Sequence, residues 1–184
     1  QVADEAVLHF SYGHFFQMPP YYAMYNRSDW LVPLGNFETI MGNPNLSAEK
    51  TIKYEIGIWQ RINRYTGLDI NLYYKDIYNL LGTKTITTFN NVKYGLYSNK
   101  DYGNVRGVEL KLDFLYDKLT AFINYTLQFT RGIADNPAYA FTREGNGQDP
   151  ISRLIPMSWD QRHTFNMSIG YNKEKYGITS TCYY

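Results

Sequence analysis

Three histidines, one cysteine and a scatter of carboxylates are the side chains of this 184-residue sequence that could do chemistry. His9 and His14 stand five apart, so on an extended chain they point to opposite faces and cannot converge on one metal ion. His163 opens a run of alternating apolar residues, where an interfacial ring suffices. Cys182 is alone, which excludes an intramolecular disulfide and a cysteine-based zinc site. Lys53, Glu55, Arg61, Asp69, Glu109, Lys111 and Asp113 fall on alternate positions with mixed sign. Paired carboxylates do acid–base work only where their surroundings separate their pKa values, and a solvated wall is the plainer reading of this set. No G-x-S-x-G, no phosphate-binding P-loop and no Cys/His nucleophile pair occurs. The expectation is therefore no catalytic residue, no cofactor and no metal site. Binding is expected instead on loops, from Tyr22, Trp30, Tyr139, Phe141 and Arg143, with Tyr21, Tyr25, Phe37, Asp149 and Trp159 near them. Aromatic rings beside an arginine can stack on sugars or flat aromatic solutes, and they can equally pack the loops together.

The elements that must hold those loops are strands. From Thr51 to Ile62 the even positions are Ile52, Tyr54, Ile56, Ile58, Gln60 and Ile62, while the odd ones carry Lys53, Glu55 and Arg61. The same period of two recurs over 68–74, 108–114, 119–130 and 163–171. In all five segments one face carries no Asp, Glu, Lys or Arg, and all seven charges lie on the other. A soluble sandwich also alternates. What separates the two is the connections, because strands placed near 5–16, 51–62, 67–79, 103–115, 118–131, 161–172 and 175–184 are joined alternately by short turns and by long segments near 17–50, 80–102 and 132–160. Tight turns at one end and long loops at the other, on strands long enough to cross a bilayer when tilted, are the layout of an outer-membrane barrel. The fold class expected is thus all-β, an antiparallel up-and-down transmembrane β-barrel, present as an incomplete set of about seven strands over one domain, 1–184. Seven strands cannot close such a barrel, and an open edge in hydrocarbon is costly, so the sequence reads as a piece of something longer, consistent with an opening that resembles no signal peptide.

Composition fits. The 19 Tyr, 10 Phe and 3 Trp are the ring types that build interfacial girdles, and a mean hydropathy of −0.45 is what lumen and loop residues leave after diluting an apolar face. No 18-residue apolar run exists for a membrane helix, and a net charge of +1 with no basic stripe argues against nucleic acid as a partner.

Five segments, in order, resemble the barrel of TonB-dependent outer-membrane receptors. Ser11-Tyr-Gly-His-Phe-Phe-Gln-Met-Pro19 resembles that family's YG-x-F-x-Q-x-P strand end. Gly42-Asn-Pro-Asn-Leu-Ser-Ala-Glu49 with Tyr54-Glu55-Ile56-Gly57 resembles its NP-x-L-x-PE…YE-x-G signature, with Ala48 where the family usually has Pro. Leu72-Tyr-Tyr-Lys-Asp-Ile-Tyr-Asn79, Tyr102-Gly-Asn-Val-Arg-Gly-Val-Glu-Leu110 and Trp159-Asp-Gln-Arg-His-Thr-Phe-Asn166 are similar to its YY-x-D, GVEL and WDQRH elements. The resemblance implies the C-terminal-half portion of a 22-stranded barrel in a Gram-negative outer membrane, taking up a scarce siderophore, vitamin, glycan or peptide. Implied partners are outer-membrane lipid, the remaining strands, a plug domain that is missing here, the TonB system through that plug, and a surface lipoprotein. No residue of this sequence matches those with which the family contacts TonB. A passive porin or an adhesin barrel is the alternative.

Overall fold

The computed structural model describes residues 5–26, 39–133, 136–148, 153–173 and 175–184. Its elements in chain order are β1 (Ala6–Gln17), α1 (Tyr21–Tyr25), β2 (Ile40–Met41), β3 (Glu49–Asn63), β4 (Thr66–Thr87), β5 (Lys93–Tyr116), β6 (Leu119–Gly132), α2 (Tyr139–Gly145), β7 (Ile155–Pro156), β8 (His163–Lys173) and β9 (Tyr176–Tyr183). Seven strands run antiparallel in the order β1-β3-β4-β5-β6-β8-β9, while β2 adds to β5 and β7 to β6. The sheet is open, with β1 and β9 at its edges. No described helix is long and apolar enough to cross a membrane, which says nothing of strands.

Register aligns the alternating faces from strand to strand. Leu8, Ile58, Ile70, Leu110, Tyr125 and Phe165 form one cross-strand row, and Phe10, Ile56, Leu72, Val108 and Leu127 form the next. Above them lies a row of Tyr12, Tyr54, Tyr74, Arg106 and Phe129. At the short-turn end, Tyr116, Leu119, Tyr171 and Ile178 share a row, and Tyr65 meets Tyr116 edge-on at 4.7 Å. Between Leu119 and Phe129 the chain advances ten residues. At a rise of about 3.3 Å per residue and a tilt of about 40°, that is an apolar band of about 25 Å, the height of a bilayer's hydrocarbon.

The opposite face is polar and interlocked. His9, Gly57 and Asn71 share a row, and the histidine ring bonds the Asn71 amide oxygen at 2.9 Å. Ser11, Glu55, Tyr73, Gly107 and Gln128 form the next row, where the Tyr73 hydroxyl donates to Gln128 Oε1 at 2.8 Å. The two glycines make these bridges possible: a Cβ on Gly57 would collide with the His9 ring and the Asn71 amide, and one on Gly107 would stand 2.5 Å from the Tyr73 hydroxyl. As the alternation predicts, His14 turns the other way and bonds Tyr12 on the apolar side at 2.6 Å.

One sequence expectation requires correction. The segment 80–102, expected as a long loop, is a hairpin: β4 and β5 continue through it and meet in a turn at 88–92, where the Thr88 amide donates to the Val92 carbonyl at 2.9 Å and Asn91 takes a φ of 60°. The residues are strand formers, Thr83, Thr85, Ile86 and Thr87 against Tyr94 and Tyr97. A bulge interrupts the ladder where the expected strand ended, with Asn79 at a φ of 58° and register shifts around Leu80. The hairpin rises about 30 Å beyond the apolar band.

Candidate functional site at the long-loop end

The projecting hairpin is the frame on which the first loop folds. Asn43 donates from its side chain to the Tyr97 carbonyl at 2.9 Å, accepts the Asn45 amide on its own oxygen, and donates its backbone N–H to Ala23. Leu46 then enters a small core with Ala23 and Leu81, flanked by Met24 and Tyr97. Asn99 accepts the Ser47 amide at 2.8 Å and donates to the Ser47 and Asn79 carbonyls. The N-P-N-L element is thus a clasp, in which asparagine amides tie the chain before β3 to the base of the hairpin of β4 and β5.

A second clasp closes the other side. β6 pairs with β8 only up to Leu127 and with β7 only at Arg131 and Gly132, so the ladder between needs other acceptors. The Gln128 amide donates to the Arg162 carbonyl at 3.0 Å, and the Thr130 amide donates to Asp160 Oδ1 at 2.6 Å. Arg162 Nε donates to Asp160 Oδ2 at 2.8 Å, and its guanidinium lies 4.8 Å from the Phe129 ring centroid. In the W-D-Q-R-H element a carboxylate therefore replaces a strand. Burial would raise the Asp160 carboxyl's pKa, but the bonds from Arg162 and from the Thr130 amide outweigh it and hold the group below the usual carboxylate value.

Between the clasps two adjoining cavities open on the polar face. The upper, about 270 Å³, is bounded by Tyr22, Glu49, Asp101, Thr130, Met157 and Trp159. The lower, about 450 Å³, is bounded by Phe15, Lys53, Lys75, Gln128 and Trp159, and the two share Ile77, Val105 and Trp159 as a wall. Asp101 is only 6% exposed, and burial pushes its carboxyl upward although Lys100 opposes the shift. Glu49 accepts the Leu81 amide at 3.1 Å. In the lower cavity Lys53 pairs with Glu55, and the Lys75 ammonium sits 5.1 Å from the Tyr73 ring centroid. Carboxylates above, ammonium groups below and an indole between them can hold a polyfunctional solute. No nucleophile with an adjacent base lines either cavity among the described residues, and no group of three or more His, Cys, Asp or Glu there is placed to hold a metal ion.

The structure separates the residues expected to bind. Tyr22 borders the upper cavity and meets Tyr97 edge-on at 5.9 Å. Phe141 is 3% exposed and packs on Gly95, so its ring seats α2 against the hairpin. Tyr139 and Arg143 lie one turn apart on α2, the guanidinium 5.6 Å from the phenol ring. Trp30, Phe37 and Asp149 lie outside the described residues. Sequence reasoning missed Glu49, Asp101 and Met157. Glu49 closes a motif and so carried a signal, whereas Asp101 and Met157 are brought to the cavity by a bulge and a loop that no spacing reveals.

A family model described as TonB dependent receptor-like, beta-barrel matches residues 1–184. No curated protein matches in sequence. Among solved structures, a mutant of the ferric enterobactin receptor PfeA from Pseudomonas aeruginosa superposes with a TM-score of 0.69 at 15% identity, over 100% of this chain and 26% of its own. The outer membrane transporter YddB from Escherichia coli gives 0.67 at 11%, over 91% and 24%. The siderophore receptor PirA from Pseudomonas aeruginosa gives 0.61 at 18%, over 100% and 32%. This chain thus spans about a quarter to a third of the length of those proteins.

Proposed function

The chain belongs to the TonB-dependent receptor β-barrel family of the bacterial outer membrane, and from that premise we propose that it forms part of the wall of a receptor that takes up a scarce solute with energy delivered by TonB. The observation that carries the reading is the pair of cavities at the outer end of the lumenal face, held open by two clasps and lined with charges of both signs. A passive pore needs a wet wall. It does not need a cavity that a buried Asp101 shares with Tyr22, Trp159 and Met157.

Tyr22 and Trp159 are the residues we assign to solute contact, with Tyr139 and Arg143 as an outer pair on α2 and Phe141 as its anchor. Trp30 is retained as a contact from the first loop on sequence grounds alone. Siderophore, vitamin, glycan and peptide all fit a site that combines stacking surfaces with mixed charge. A plug domain and the rest of the barrel complete the receptor, and a surface lipoprotein would accompany a glycan or peptide substrate.

The test is uptake by cells carrying the full-length protein, with and without a functional TonB system. Growth on iron chelates, cobalamin, glycans or peptides that depends on both the protein and TonB supports the proposal. Uptake that persists at full rate without TonB overturns it in favour of a passive pore.

A further inference from the structure

Asp101 is a carboxylate that the fold buries and leaves without a partner. It is 6% exposed, and among the described residues its side chain accepts no hydrogen bond and stands in no ion pair. Lys100 beside it in the chain is the extra residue of the β5 bulge and is exposed, so it acts on the carboxylate only from a distance. Asp160 is the contrast in the same wall, with the Thr130 amide at 2.6 Å and Arg162 Nε at 2.8 Å. A buried carboxylate with no such partners is costly, and the cost is recovered when a counter-charge arrives from outside.

The surroundings are cleared for such an arrival. A Cβ on Gly82 would stand 2.5 Å from Asp101 Oδ2, so the missing side chain is what admits this carboxylate to its place on the upper cavity. Gly103 and Gly132, cross-strand partners, leave the floor beside it bare. On β4, Leu80 pairs with Asp101 while the Leu81 amide donates to Glu49 Oε1, which brings a second carboxylate to the same cavity from the other side of the strand. Arg131 also borders the cavity, with its carbonyl beside Gly103. Alternation sends its exposed side chain to the outer face, where its charge acts on Asp160.

Two carboxylates among apolar walls select the kind of cation. A hard divalent ion wants about six oxygen ligands, and among the described residues no group of three or more His, Cys, Asp or Glu is placed to hold a metal. An organic ammonium needs only one or two carboxylates. Its carbon chain has Leu80 and Met157 to lie against, and the rings of Tyr22 and Trp159 present faces that attract a cation. We propose that Asp101, with Glu49 as a second acceptor, is the recognition point for a protonated amine carried by the imported solute. The site presupposes that these cavities receive the solute, and it narrows that solute to one bearing a cationic amine.

The experiment uses the full-length receptor in a non-ionic detergent. It is titrated with dansylcadaverine, a flat ring on a primary amine, and separately with the N-acetyl derivative, which keeps ring and chain but not the charge; fluorescence polarisation reads both. Wild type is expected to bind the amine about tenfold or more tightly than the acetylated probe. Asp101→Asn should abolish that preference, bind the acetylated probe as wild type does, and unfold in urea no earlier than wild type, since it removes a buried charge that has no partner. Glu49→Gln keeps an acceptor for the Leu81 amide and should lose the preference only in part. Equal binding of both probes by wild type, binding of neither, a preference that survives Asp101→Asn, or early unfolding of that variant overturns the proposal. TonB-dependent uptake in cells is read separately. A receptor that needs TonB but shows no amine preference loses this site alone, and one that shows the preference without needing TonB loses the transport reading alone.

Discussion

Replacing Asp160 by alanine tests whether one carboxylate substitutes for a missing strand. In the native wall its Oδ1 accepts the Thr130 amide at 2.6 Å, and Thr130 is 1% exposed, so no water can take over that donor. An orphaned buried amide costs about 1–3 kcal/mol. The bond to Arg162 adds less, at most about 1 kcal/mol, because that guanidinium's side chain is 45% exposed. The expected loss for Asp160→Ala is therefore about 3 kcal/mol. Asp160→Asn keeps an acceptor and should lose only about 1 kcal/mol. Urea unfolding of the full-length receptor, refolded into lipid and followed by tryptophan fluorescence, measures both. Acid supplies a second axis. The carboxyl's pKa is lowered in the fold, so its contribution is complete above the ordinary value of 3.8 and is lost as pH falls through the lowered value. The gap between wild type and Asp160→Asn should then stay constant from neutrality down to about pH 4 and close only below that. An alanine variant within about 0.5 kcal/mol of wild type, or a gap that closes between about pH 5 and 7, would refute the reasoning.

Three further outcomes are expected. Gly57→Val and Gly107→Val should fail to assemble heat-modifiable barrel, since each new side chain meets the His9–Asn71 or Tyr73–Gln128 bridge, whereas Gly147→Ala, with open space around it, should fold and cost only the strain of its positive φ. Leu110→Arg, in the middle of the apolar band, should lower barrel stability by about 2–4 kcal/mol, while Lys111→Gln on the lumenal side should change it by less than about 0.5 kcal/mol in the same unfolding assay. Tyr22→Ala and Trp159→Ala should weaken solute binding about tenfold with unfolding unchanged, and Phe141→Ala should instead lower the protection of α2 from hydrogen exchange, because its buried ring is the helix's anchor.

The wall was largely legible from the amino acids because period-two alternation is enforced wherever lipid meets one side and water the other. Ile52 to Ile62 and Leu119 to Phe129 state their faces residue by residue, and the strand ends lie close to where the alternation stops. The hairpin above the band was misread for the same reason. Beyond the membrane neither face must be apolar, so Thr83, Lys84 and Ser98 carry no alternation to find, and the bulge that begins at Asn79 breaks the pattern below them. The cavities were legible only in part, through Tyr22 and Trp159, and Glu49 was missed although it closes a motif. Asp101 depends on a register shift, and Phe141 on a helix too short to show a periodic face.

That register shift has a consequence for how the wall tolerates change. β4 gains a residue between Ile77 and Leu80, and β5 gains one between Asn99 and Asp101, so the two offsets cancel and pairing from Leu81 upward returns to the phase it had below Ile77. The stagger of strands that fixes a barrel's girth is therefore indifferent to what lies above the bulges. The hairpin from Leu81 to Asn99 behaves as a cassette, free to lengthen, shorten or be exchanged by paired steps without re-registering a single strand in the bilayer.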